Sequence, residues 1–136
     1  MPEFRLHHVA VAVRSIDPAL SLFRDALAGS DLGGGREPGR GDGGWRWRQV
    51  GYPGGGRIEL LEPDGEGFLT RFLEDRGEGL HHLTFRTDDL EGAVQRLQGR
   101  GYELVDVDLA DPRWREAFVR PSRAHGTLIQ LAEIED

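Results

Sequence analysis

The chain repeats itself. Leu6-His7-His8-Val9-Ala10-Val11-Ala12-Val13, followed by Ile16, Ala19, Leu20 and Phe23, returns 74 positions later as Leu80-His81-His82-Leu83-Thr84-Phe85-Arg86-Thr87, followed by Leu90, Ala93, Val94 and Leu97. A second echo pairs Ile58-Glu59-Leu60 with Ile129-Gln130-Leu131, and each is reached through a proline, Pro53 or Pro121. Such a repeat builds one supersecondary unit twice. With 136 residues in all, the two copies are half-domains that share one core rather than independent folds. We expect a single domain with a first module over about residues 4–65, a linker helix over about 66–78 and a second module over about 79–134.

The formal charge of −7 argues against nucleic acid or an anionic membrane surface as partner, because binding phosphate needs clustered cations. All 17 basic residues are arginine. Cysteine is absent, which removes disulfides, thiolate ligands and a thiol nucleophile. No apolar run approaches the ~20 residues of a membrane span, and the N-terminus lacks the pattern of a signal peptide. The expected setting is the cytoplasm and the expected partner a small molecule.

Alternation from Leu6 to Val13 reads as a strand buried on both sides. Ser15 to Ala28 switches to helical spacing, with Ala19, Leu22, Phe23, Ala26 and Leu27 as its apolar stripe. Asp31 to Gly44 is dominated by glycine and charge and reads as a mobile loop, with a further short strand in or near it. Trp45–Tyr52 and Arg57–Glu62 form a hairpin over Pro53-Gly54-Gly55-Gly56. The second half follows the same order. Leu80–Thr87 is a strand and Asp89–Gly99 a helix, and strands follow near Glu103–Val107, Arg115–Arg120 and Thr127–Ala132.

The repeats carry metal-ligand residue types at matching places, His8 with His82 and Glu59 with Gln130. Two histidines at duplicated strand positions, with a carboxylate and an amide likewise placed, point to a divalent ion rather than to isolated core histidines. Imidazole and oxygen donors suit zinc, nickel, cobalt, manganese or iron. Successive strand residues face opposite ways, which assigns His7 and His81 to packing or hydrogen bonding. Trp45-Arg46-Trp47-Arg48-Gln49 places indoles on one face and guanidiniums on the other. Either the tryptophans pack under helices, or Arg46 and Arg48 share a face with Glu59 and bind an anionic substrate.

Four segments carry a family resemblance: His8-Val-Ala-Val-Ala-Val, Ile58-Glu-Leu-Leu-Glu-Pro63, Phe72-Leu-Glu-Asp-Arg-Gly-Glu-Gly-Leu-His-His82 and Gly126-Thr-Leu-Ile-Gln-Leu-Ala-Glu133. They resemble the vicinal oxygen chelate superfamily of glyoxalases, bleomycin-resistance proteins and dioxygenases, and within it most of all the methylmalonyl-CoA epimerases. The resemblance implies an α+β fold in which two βαβββ modules form a curved mixed sheet whose concave face holds one divalent metal. It implies His8, Glu59, His82 and Gln130 as ligands, and a homodimer. The epimerases carry an amide at the position of Glu59 and a glutamate at that of Gln130, so the two appear exchanged. An acid-base group of the family falls on Arg48, which stays protonated and is a poor base.

The function expected is a metal-dependent isomerase or lyase that stabilises an enediolate-like intermediate on a small carbonyl or acyl-thioester substrate. Glu59, the one anionic ligand, is its candidate base. The alternatives are a non-catalytic, resistance-type binding protein and a metal-dependent dioxygenase.

Overall fold

The computed structural model describes residues 2–39 and 41–135. The architecture is α+β with mixed pairing over eight strands: β1 (Phe4–Ala12), β2 (Ser30–Glu37), β3 (Gly44–Gly51), β4 (Arg57–Asp64), β5 (Gly79–Thr87), β6 (Val105–Asp108), β7 (Trp114–Val119) and β8 (Leu128–Ile134). Helix α1 (Ile16–Leu20) runs into a π-helical turn at Ser21–Ala26; α2 is Phe68–Arg76 and α3 Leu90–Gly99. The chain divides into two compact units, His8–His81, and Met1–His7 with His82–Asp136.

In the unit His8–His81 the strands run β2-β3-β4-β1. Val9–Ala12 of β1 pairs in parallel with Ile58–Leu61 of β4, and β4 pairs antiparallel with β3. Because side chains alternate across a strand, this half-sheet has two differently covered faces. Val11, Val50 and Leu60 pack under Ile16 and Leu20 of α1. Ala10, Ala12 and Leu61 on the other face pack under Leu69 and Leu73 of α2, with Trp45, Trp47, Phe68 and Phe72 around them. The ring of Trp45 meets that of Phe68 edge-on at 5.4 Å, so the tryptophans do lie beneath a helix. His81 packs in the same cluster, 4.9 Å from the ring of Phe72 and 5.6 Å from that of Phe68.

Two expectations for this unit are corrected. Residues 30–37, expected as a mobile loop with a further short strand in or near it, are an eight-residue strand paired along β3, with a bulge between Asp31 and Gly33. Its glycines are what the close pairing requires: a Cβ on Gly34 would lie 2.5 Å from the carbonyl oxygen of Trp47, and one on Gly35 3.0 Å from its indole. Arg40, in the same stretch, lies outside the described residues. The helical stripe is also narrower than expected. After Leu20 the ladder widens, with Leu27 N–H donating to the Leu22 carbonyl and Gly29 N–H to that of Arg24, five residues back in each case. Ala19 and Phe23 pack on the core beside buried Ile16 and Leu20, whereas Leu22 and Leu27 are 52% and 54% exposed.

The other unit repeats the plan as β5-β8-β7-β6. His82–Arg86 pairs in parallel with Leu128–Ala132, and β8 pairs antiparallel with β7. Leu90 and Ala93 of α3 are buried on Ala117 and Leu131, joined by Phe85 and Ile129. Helix α3 starts at Asp89, whose carboxylate accepts the Gly92 N–H at 2.9 Å, as an N-cap should. No helix among the described residues is long and apolar enough to cross a membrane.

Candidate metal and proton-transfer sites

Register decides which side chains share a face. In the unit His8–His81, Ala10 and Gln49 both lie opposite Glu59, so His8, Gln49 and Glu59 project on the face away from α1. Gln49 Nε2 donates to Glu59 Oε2 at 2.7 Å, and His8 Nε2 lies 3.5 Å from the same oxygen. The His8 side chain is 2% exposed and that of Glu59 15%. Burial raises the Glu59 carboxyl above the usual carboxylate range, against the Gln49 hydrogen bond that lowers it and with a smaller contribution from Glu37. A buried carboxylate whose charged form is disfavoured is a candidate either to hold a proton or to meet a cation.

This pair fits a metal of the kind the family implies. Two donors each about 2.0–2.2 Å from an ion at a near-tetrahedral angle are about 3.4 Å apart, close to the observed 3.5 Å. Both are types that zinc, nickel, cobalt, manganese and iron accept. Among the described residues no group of three or more histidine, aspartate, glutamate or cysteine side chains is assembled.

Arg46 and Arg48 do not belong to this face. They pair with Glu62 and Leu60, one residue out of phase with Glu59, and the wall expected on the Glu59 side is formed by Trp45, Trp47 and Gln49 instead. Arg48 Nη1 reaches both carboxylate oxygens of Asp31, at 2.8 and 3.0 Å, and Arg46 lies 3.3 Å from Glu62. The segment alone left this phase open, because a slip of one residue exchanges the faces of a strand.

In the second unit Thr84 and Phe118 lie opposite Gln130, so His82, Thr84, Gln130, Glu116 and Trp114 share the face away from α3. Gln130 is 8% exposed and Thr84 fully buried. Both ends of the glutamine amide are used: Thr84 Oγ1 donates to its Oε1 at 2.7 Å, and its Nε2 donates to Glu116 Oε1 at 3.0 Å. Glu116 Oε1 also accepts from Trp114 Nε1 at 2.7 Å. Glu116 was not among the residues singled out from sequence. A signal for it exists, since Trp114-Arg115-Glu116 repeats Trp45-Arg46-Trp47, with the glutamate in place of the second tryptophan. His125 stands apart in the turn before β8 with φ of 57°.

The model of the Glyoxalase/Bleomycin resistance protein/Dioxygenase superfamily matches residues 7–118. The chain belongs to that superfamily. It is 30% identical over 136 residues to the ethylmalonyl-CoA/methylmalonyl-CoA epimerase of Cereibacter sphaeroides, covering 96% of this chain and 98% of the relative. Among solved structures, methylmalonyl-CoA epimerase from Mycobacterium tuberculosis matches with a TM-score of 0.82 and 30% identity, over 96% of this chain and 88% of that one. The hypothetical protein BH1468 of Bacillus halodurans superposes with a TM-score of 0.86 at 27% identity, over 98% and 96%. The chain is thus a superfamily member of the methylmalonyl-CoA epimerase-like kind.

Proposed function

We propose that the protein is a metal-dependent isomerase that moves the proton on the carbon next to the carbonyl of a small 2-substituted acyl thioester. The observation that carries this reading is the buried His8–Glu59 pair, 3.5 Å apart, with its carboxyl raised by burial, in a chain whose relatives include epimerases of this substrate class.

The proposed protein donors for a divalent ion in the unit His8–His81 are His8 and Glu59. Gln130, implied as a ligand by the resemblance, is given a different part here, because its amide already serves Thr84 and Glu116. When bound, the ion would polarise the thioester carbonyl and so acidify the neighbouring C–H. Glu59 then accepts or returns the proton directly or through one water. Gln49 holds the Glu59 carboxylate in place through its 2.7 Å hydrogen bond. Trp45 and Trp47 make the same face apolar, which suits an acyl substituent and excludes water from the reacting carbon.

Elemental analysis of protein purified without a histidine tag tests the metal half of this reading. Reconstitution with each of the five metals should load the chain stoichiometrically, and chelation should lower the melting temperature, because an ion bound only by the folded state stabilises it. Failure of all five to load would leave a binding protein without metal chemistry.

A further inference from the structure

On the Glu59 face of the unit His8–His81, two large apolar side chains stand apart with a glycine between them. We propose, resting on the isomerase reading above, that the notch between Leu32 and Trp47 over Gly33 holds the alkyl branch on the reacting carbon, and that these two side chains select its length.

Register places the notch beside the carboxylate. Gly33 pairs with Gln49 and Gly35 with Trp47 across β2 and β3, and Gln49 pairs with Glu59 across β3 and β4. These residues and Gly51, two positions beyond Gln49, therefore share one face. Trp47 closes one end. A Cβ on Gly35 would lie 3.0, 3.1 and 3.1 Å from its Nε1, Cε2 and Cζ2, so the indole lies across β2. Leu32 closes the other end. It is the extra residue of the bulge between Asp31 and Gly33, and a bulge re-aims a side chain. Its Cδ1 stands 2.8 Å from where a Cβ on Gly51 would lie, which puts the exposed leucine over the end of β3. Between the two walls, a Cβ on Gly33 would meet nothing within 4 Å. Gln49 does not fill this space, because its amide is drawn to the other side, toward β4, by the 2.7 Å hydrogen bond to Glu59.

The shape of the notch names its occupant. Its walls rise from β3 positions 47 and 51, about 13 Å apart along the strand, wide enough for one chain of CH2 groups once the side chains have taken their share. Its floor at Gly33 lies one strand beyond Gln49, about 4.8 Å further from Glu59 than the β3 backbone. A methyl branch on a carbon held at Glu59 stops short of that floor. Two or three carbons, at about 1.5 Å per bond, reach it and lie between an indole and a leucine. No cation stands among the residues that form the notch, so a charged branch finds no partner there. The preferred substrate is thus a thioester with an unbranched alkyl substituent longer than methyl.

The test measures kcat/KM for epimerisation of the CoA thioesters of 2-methyl-, 2-ethyl- and 2-propylmalonate by metal-loaded protein. Wild type should gain about fourfold with each added methylene, the return expected from burying it. Leu32→Ala, which removes one wall, should cut that gain to less than about twofold. Leu32→Phe, which fills the notch, should reverse the order and make the propyl compound the poorest. Leu22→Ala, at an exposed leucine of the π-helical turn, should keep the wild-type order. A merely structural role for Leu32 would change all three thioesters alike. Equal kcat/KM for the three in wild type, or an unchanged order in Leu32→Phe, would overturn the notch while leaving the isomerase reading standing. A wild-type protein that epimerises none of the three overturns the isomerase reading itself, and this assignment with it.

Discussion

Arg46 and Glu62 face each other across β3 and β4, 3.3 Å apart, and Glu62 Oε1 in turn accepts the backbone N–H of Ile16 at 2.8 Å, at the start of α1. The second repeat contains the same device: Arg115 lies 3.1 Å from Glu133, which accepts the N–H of Leu90 at 2.8 Å, at the start of α3. Neither helix could satisfy its first N–H groups internally, so a strand carboxylate does it from outside and an arginine steadies the carboxylate. This gives Arg46 a structural task that its place in a Trp-Arg alternation does not reveal.

Glu62→Ala and Glu133→Ala should therefore each cost about 1–2 kcal/mol of stability, the usual loss for a helix cap. Arg46→Ala, which removes a largely exposed partner, should cost no more than about 1 kcal/mol and leave ligand binding unchanged. Denaturant melts and binding titrations of the three variants check this; a tenfold loss of ligand affinity in Arg46→Ala at unaltered stability would return that residue to the binding site.

Substitution of Glu59 should act in opposite directions with and without metal. Its pKa is raised in the folded state, so its contribution is intact below the ordinary carboxylate pKa of about 4.3 and is lost as pH rises through the raised value. Metal-free Glu59→Gln should thus melt above wild type at neutral pH, with the difference closing near about pH 4. With metal present the order reverses, and the variant binds the ion more weakly. Melting curves with and without chelator across that range decide it.

His81 predicts an acid-side loss of stability. Burial against Phe68 and Phe72, with a smaller effect of Arg76, lowers its pKa from 6.5 to about 4. The unfolded chain therefore binds a proton first, so stability is intact above 6.5 and declines as pH falls towards 4, by on the order of 3 kcal/mol in full. His81→Phe should flatten the curve between these limits relative to wild type. Parallel curves for the two proteins would show that the imidazole does not titrate in this range.

Much of the fold was legible because the apolar positions of β1, β5, α1 and α3 recur in register, and burial follows pattern more closely than identity. His8 and Glu59 were legible for the same reason, as matched polar residues on strands that otherwise repeat apolar ones. β2 was legible only as a short strand in or near a loop, because the glycines of residues 33–35 read as a loop until β3 lies against them. The faces of β3 were not, because alternation alone has two phases and only the pairing of Gln49 with Glu59 chooses one. Glu116 was hidden by a change of residue type within a repeated Trp-Arg pair.

The most direct test of metal-dependent proton transfer is exchange of the α-hydrogen of a 2-substituted malonyl thioester with solvent deuterium, followed by NMR on wild-type protein before and after chelation. Exchange should proceed with the metal-loaded protein, stop on chelation and return on adding the ion back, while Glu59→Gln no longer interconverts the epimers. Tight binding of the thioester without exchange under any of the five metals, or exchange unaffected by chelator, would contradict it.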